Sequence, residues 1–156
     1  MFDDIDRKIL DILQRDADKP IAEIAAEVGL SQTPCWRRIK RLEDERVIRG
    51  RIALVDRTKV HASMTVFVAV KAPRHASEWA SAFRDAVQDI PEIMEVHRLT
   101  GETDYLIRIA VPDIRRFDAV YQLLISRLEF SDLSSSISME ELKFADAVPT
   151  KYFIDN

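Results

Sequence analysis

The segment Gly29-Leu30-Ser31-Gln32-Thr33-Pro34-Cys35-Trp36-Arg37-Arg38-Ile39-Lys40-Arg41-Leu42-Glu43 decides the fold of the N-terminal part of this chain. Gly29 suits the position just beyond a helix end, where a positive φ is adopted without a Cβ clash. Ser31 is placed to cap a following helix by accepting an orphan amide. Pro34 is tolerated in that helix's first turn, because its missing N–H would have no intrahelical partner there. Advancing about 100° per residue from Cys35 puts Ile39 and Leu42 within about 40° of it, and Thr33, Arg37, Lys40 and Arg41 on the opposite side. The spacing predicts a helix running to about Arg46, with one packed face and one free, basic face.

Toward the N-terminus, Ile5, Ile9, Ile12 and Leu13 recur at helical spacing with charged residues opposite, so a first helix is expected there. Pro20 interrupts, and Ile21, Ile24, Ala25 and Val28 form a second, shorter stripe that stops at Gly29, with Leu30 as a buried plug. Three short helices, the last two separated by a glycine-containing turn, make a helix-turn-helix. Toward the C-terminus, Arg49 to Val55 reads as a short β excursion, a wing, and 56–63 as a polar linker.

Beyond the linker the hydrophobic period alternates between two and 3.6 residues. The expected elements are a strand at Met64 to Lys71, a helix at Ala76 to Asp89, strands at Ile93 to Thr100 and Asp104 to Val111, a helix at Ile114 to Leu128, and a strand at Leu133 to Leu142. That order, βαββαβ, predicts a ferredoxin-like domain and an α+β fold class overall. The expected organisation is 1–55 helix-turn-helix, 56–63 linker, 64–142 ferredoxin-like domain, and 143–156 an irregular tail without an assigned role.

With 47% apolar and 32% charged residues among 156, the chain has the composition of a globular protein. No apolar run approaches the roughly 20 residues needed to span a bilayer, and the acidic start Met1-Phe2-Asp3-Asp4 is unlike a secretory signal, so a cytoplasmic location without membrane contact is expected. One cysteine excludes an intrachain disulfide and a multi-cysteine zinc site, and Cys35 falls on the apolar face of its helix, which favours packing over redox sensing. His61 and His75 stand in polar connections, so no metal-ligand spacing emerges and neither a metal nor a cofactor is expected. No nucleophile, base and orienting group come together, so an enzyme is not expected. The net charge is -4, yet Trp36 to Arg51 holds seven basic residues against three acidic ones. A local field of that sign is what attracts a phosphate backbone.

Three runs extend the reading: Ile5-Asp6-Arg7-Lys8-Ile9-Leu10, Ala25 to Ser31, and Thr33 to Glu43 ending in Val47-Ile48. Together with Thr100-Gly101-Glu102-Thr103-Asp104-Tyr105-Leu106 and Ala147-Val148-Pro149, they resemble the Lrp/AsnC family of transcription regulators over nearly the whole chain. The resemblance implies a winged-type helix-turn-helix joined to an amino-acid-sensing domain, dimers that assemble into octamers, and a ligand site between sensor domains near the Gly-x-x-Asp-Tyr loop. Glu102 and Thr103 depart from the family's commonest loop form, Gly-Asp-Tyr-Asp-Tyr, and leave the identity of the ligand open.

A recognition helix enters the major groove with its N-terminal residues at the base edges. Ser31, Gln32, Thr33, Trp36 and Arg37 are therefore candidates for reading double-stranded DNA, with Trp36 equally suited to packing between domains. Arg38, Lys40 and Arg41, and Arg49 and Arg51 from the wing, are candidates for phosphate contacts. In the sensor, Gly101 permits a tight loop whose amides could hold a carboxylate, and Glu102 or Asp104 could face an ammonium. A plain hairpin turn, with Asp104 as a cap, is the structural alternative. His97, Thr100 and Thr103, with Ser134, Ser136 and Met139 on the last strand, complete the effector candidates, although the alternating serines equally suit a subunit contact. The competing function is an amino-acid-binding metabolic regulatory module acting through protein contacts.

Overall fold

A computed structural model describes residues 2–73, 76–145 and 147–153; His75 lies outside them. The chain divides into two compact units, Met1–Ala53 with Leu142–Asn156, and Leu54–Glu141.

The first unit is built on α1 (Asp4–Arg15), α2 (Ile21–Glu27) and α3 (Gln32–Asp44). Asp3 opens α1 with a capping box: it accepts the amides of Ile5 and Asp6 at 2.9 and 3.0 Å, and Asp6 accepts the amide of Asp3 at 3.0 Å. The core joins Ile9, Ile12 and Leu13 to Ile24, Ala25, Cys35, Ile39 and Leu42, which is the set of stripes expected from spacing. Gly29 ends α2 at φ +72°, and the Leu30 amide reaches back to the Ala25 carbonyl at 2.8 Å, closing the helix with a Schellman bond.

Three expectations change here. Ser31 occupies the N-cap of α3 with extended backbone, but its side chain makes no capping bond, and only its carbonyl is used, by the Cys35 amide at 3.2 Å. Helix α3 stops at Asp44, because Arg46 turns to φ +60° and the Ile48 amide folds back to the Leu42 carbonyl at 3.0 Å. Residues 49–55 form no strand: among the described residues no partner strand bonds them, and without a ladder an extended segment is not a sheet. Ile52, Leu54 and Val55 stay exposed.

The described part of the C-terminal segment makes specific contacts. Residues Thr150–Tyr152 form a 3-10 turn, and the segment's side-chain contacts fall on α1 and Phe2.

The second unit is a four-stranded antiparallel sheet of β1 (Met64–Lys71), β2 (Ile93–Arg98), β3 (Tyr105–Val111) and β4 (Asp132–Ile137), ordered β2-β3-β1-β4. Helices α4 (Ala76–Gln88) and α5 (Ile114–Arg127) cover one face. Alternation along the strands sends Val66, Val68, Val70, Ile107, Ile109 and Val111 into a core with Phe83, Val87, Phe117, Val120 and Leu124. Strand β4 ends at Ile137 and not at Leu142, because its partner β1 begins at Met64 and pairs Val66 with Ile137, leaving later residues almost nothing to bond. No helix among the described residues is long and apolar enough to cross a membrane.

Candidate nucleic-acid interface and ligand site

Helix α3 is held by its buried edge of Cys35, Ile39 and Leu42, which leaves Gln32, Thr33, Trp36, Arg37 and Lys40 exposed. Trp36 is 51% exposed, so its ring is not taken up by the head's core. Lys40 pairs with Asp44 at 3.0 Å on the surface, and that carboxylate raises its pKa. Exposed pairs of this kind contribute little and exchange readily. Of the four cations on this helix, Arg37 alone has no ion pair among the described residues.

Arg38 and Arg41 behave differently from the expectation that they face phosphates. Arg38 donates to Asp3 at 2.8 Å and to Asp6 at 2.9 Å, and Arg41 donates to Asp6 at 2.5 Å. The Arg41 guanidinium also lies 5.0 Å from the centre of the Phe2 ring. Asp6 is fully buried, and Arg38 and Arg41 together balance the charges of Asp6 and Asp3 inside the domain. The Asp6 amide and Arg38 hold the Asp3 carboxyl below its usual pKa. Arg51 is also engaged, donating to the Ala17 carbonyl at 3.1 Å and pairing with Glu43 at 3.3 Å, whereas Arg49 is exposed. Burial pushes the Cys35 thiol up, against a smaller opposing effect of Arg38, consistent with a packing role.

In the sheet unit the loop 99–104 joins β2 to β3, with Gly101 at φ +112°. It is closed by the Leu99 amide on the Asp104 carbonyl at 2.8 Å and anchored by the Asp104 amide on the Val70 carbonyl at 3.0 Å. The Asp104 carboxylate accepts the Ala72 amide at 2.8 Å, which engages one of its oxygens as a cap, while Glu102 and Thr100 are exposed. His97 pairs with Glu95, whose carboxyl is held down first by Arg108 and then by His97. On the helix-free face the register sets His97, Leu106, Ala69 and Ser134 in one row, and Glu95, Arg108, Phe67 and Ser136 in the next. His97 and Ser134 are thus three strand spacings apart, roughly 14 Å. Met139 is 95% exposed beyond β4. Within one copy, therefore, the loop, His97 and the serines do not converge on a single cavity.

A cleft of about 490 Å³ lies instead on the helix-covered side, between Phe83, Arg84 and Val87 of α4 and Ile93, Val96 and Arg98 of β2. It was not foreseen from sequence. The only signal was Arg98 alternating with Val96 on an edge strand, which periodicity alone does not distinguish from a solvated edge. No group of His, Cys, Asp and Glu suited to a metal occurs among the described residues.

An AsnC-type helix-turn-helix model matches residues 2–43, and the Lrp/AsnC ligand binding domain matches residues 65–148. The chain belongs to the Lrp/AsnC family. It is 45% identical over 152 residues to the HTH-type transcriptional regulator Zrp of Zymomonas mobilis, covering 97% of this chain and 99% of that one. Among solved structures it is similar to an AsnC family regulator from Agrobacterium tumefaciens, at 44% identity with a TM-score of 0.95, covering 98% of this chain and 100% of that one. It is also similar to a Neisseria meningitidis transcriptional regulator solved with L-Met, at 32% identity with a TM-score of 0.92, covering 99% and 100%. As an Lrp/AsnC protein the chain is a transcription regulator with a helix-turn-helix DNA-binding domain and a ligand-binding domain, and the α+β class read from sequence holds.

Proposed function

We propose that this Lrp/AsnC regulator reads DNA through the exposed ridge of α3, with Gln32, Thr33, Trp36 and Arg37 at base edges and Lys40 and Arg49 on phosphates. Ser31, with its hydroxyl free of capping, adds a further phosphate donor. Arg38, Arg41 and Arg51 are reassigned from phosphate binding to holding the head together. The observation that carries this reading is Arg37: exposed, without an ion pair among the described residues, and in the second turn of a helix fixed from behind by Cys35, Ile39 and Leu42. A guanidinium in that position can bond guanine O6 and N7 bidentately.

The effector in this reading is an amino acid, supported by the ligand-binding-domain match and by the neisserial relative bound to L-Met. Its site lies between copies, around the loop Thr100 to Asp104, and is completed by groups of another subunit. Support comes from the failure of the candidate residues to converge within one copy. The helix-free sheet face, with Phe67, Ala69 and Leu106 half-buried, suits pairing into dimers that assemble further into octamers. A cytoplasmic location fits this role.

The test is Arg37→Ala, assayed on the best duplex selected from a randomised library by the parent protein. Specific affinity is expected to fall by about 1 to 3 kcal/mol with the oligomer mass unchanged, and the parent's affinity should fall steeply with salt. Equal affinities for Arg37→Ala and parent would sink the assignment.

A further inference from the structure

The C-terminal residues 148–153 are seated on α1 by specific bonds. The Gln14 side chain donates to the Val148 carbonyl at 3.2 Å and accepts the Val148 amide at 2.8 Å, satisfying that backbone unit in both directions. The Thr150 hydroxyl donates to Asp11 at 2.6 Å. The Phe153 ring lies 4.9 Å from that of Phe2, centre to centre, and packs against the helical core. Phe2 is shared, because the same ring carries the Arg41 guanidinium at 5.0 Å. Arg41 in turn bonds Asp6, and Asp6 bonds Arg38. A continuous line of contacts thus runs from Phe153 through Phe2, Arg41 and Asp6 to Arg38, next in sequence to Arg37.

We propose that residues 148–153 are a positioning part of the DNA-binding head. By pressing Phe2 against Arg41 they fix the rotation of α3 against α1, and with it the aim of Arg37. The segment leaves the sheet unit at Glu141, so the chain passes between the two units a second time here. An effector that alters the end of the sensor therefore has a covalent route to the recognition helix, separate from the connection at Ala53 and Leu54. Residues 149–153 lie beyond the span matched by the ligand-binding-domain model, and nothing about that domain assigns them this role. The proposal rests on the reading of α3 as the DNA face.

The experiment uses the full chain and two probes, the duplex selected by the parent protein and a scrambled duplex of equal length. Phe153→Ala is expected to weaken the selected duplex roughly three- to tenfold and to leave the scrambled one unchanged. Thr150→Val, which removes one hydrogen bond without leaving a cavity, should act in the same direction more weakly, and Phe153→Tyr should bind as the parent. In a double-mutant cycle, Arg41→Met should cost less in the Phe153→Ala background than alone, as coupled neighbours require. Parental binding by both Phe153→Ala and Thr150→Val, strictly additive effects, or equal weakening of both duplexes would each overturn the proposal, the last being the mark of a merely structural role. Should Phe153→Ala melt at the assay temperature, Thr150→Val decides in the same assay. Arg37→Ala run alongside separates the two readings: loss there with parental binding by the Thr150 and Phe153 variants removes only the positioning role of residues 148–153, whereas no loss removes the DNA face as well.

Discussion

Asp6 is a charged residue with no solvent exposure, and its three bonds explain why that is tolerated. It accepts the Asp3 amide, Arg38 and Arg41, so every bond to its carboxylate either caps α1 or ties α1 to α3. Removing one partner of such a cluster costs more than the cluster contributes, because the remaining charges lose their compensation. Asp6→Asn should therefore destabilise the head by about 2 to 3 kcal/mol, below the fully buried case because Arg38 and Arg41 still reach water. Urea unfolding followed by Trp36 fluorescence in a Trp79→Phe background would register the change, and a midpoint equal to the parent's would refute it. This cluster was only half legible in the sequence. On the helical wheel Arg38 falls about 60° from Cys35, on the flank between packed and open faces, and Arg41 about 120°, at the edge of the open face. An arginine there can reach either way, and the wheel does not show that Asp6 waits on the neighbouring helix.

At the scale of elements, the difference between a cap by position and a cap by bonding gives a measurable contrast. Asp113 begins α5 with its carboxylate accepting the Arg116 amide at 2.9 Å, whereas Ser31 begins α3 with no side-chain capping bond. Asp113→Ala should cost about 1 kcal/mol, within the usual range for a lost cap, and Ser31→Ala only a few tenths. Chemical denaturation of both variants checks this, and equal losses would mean that the geometry at Ser31 is misread. The same contrast explains what sequence could convey about elements. Strand β1 and the start of α5 were legible to the residue, because alternation and an Asp cap are local signals. The end of β4 and the missing wing were not, since both depend on whether a partner strand is present, and partner supply is a tertiary property. The capping box of α1 did not emerge from the sequence, because Asp3 and Asp6 three residues apart are a weaker version of the usual Ser/Thr to Glu/Gln spacing.

The whole molecule has two cores that share no residue, one of three short helices closed by Phe153 and the other of a sheet under two helices. Each unit carries one tryptophan, Trp36 in the helical head and Trp79 in the sensor, where its indole donates to the Glu129 carbonyl at 2.6 Å and its ring stacks on Phe83 at 4.8 Å. Separate cores need not melt together, and the smaller one buries less apolar surface per residue ordered, so it should unfold first. Calorimetry of the full chain is expected to show two transitions, with the fluorescence of Trp36 following the lower and that of Trp79 the higher. A ligand that binds only the folded sensor raises that unit's stability by RT ln(1 + [L]/Kd), about 2.7 kcal/mol at a hundredfold excess over Kd. An amino-acid effector should therefore shift the upper transition directly. It should shift the lower one only to the extent that the sensor's state reaches the head through the chain segments joining the units. A truncation after Ala147 removes the contacts of residues 148–153 with α1, and should lower the Trp36 transition while leaving the Trp79 transition and its response to effector in place. A single coincident transition in both the parent and the truncated chain would contradict independent cores.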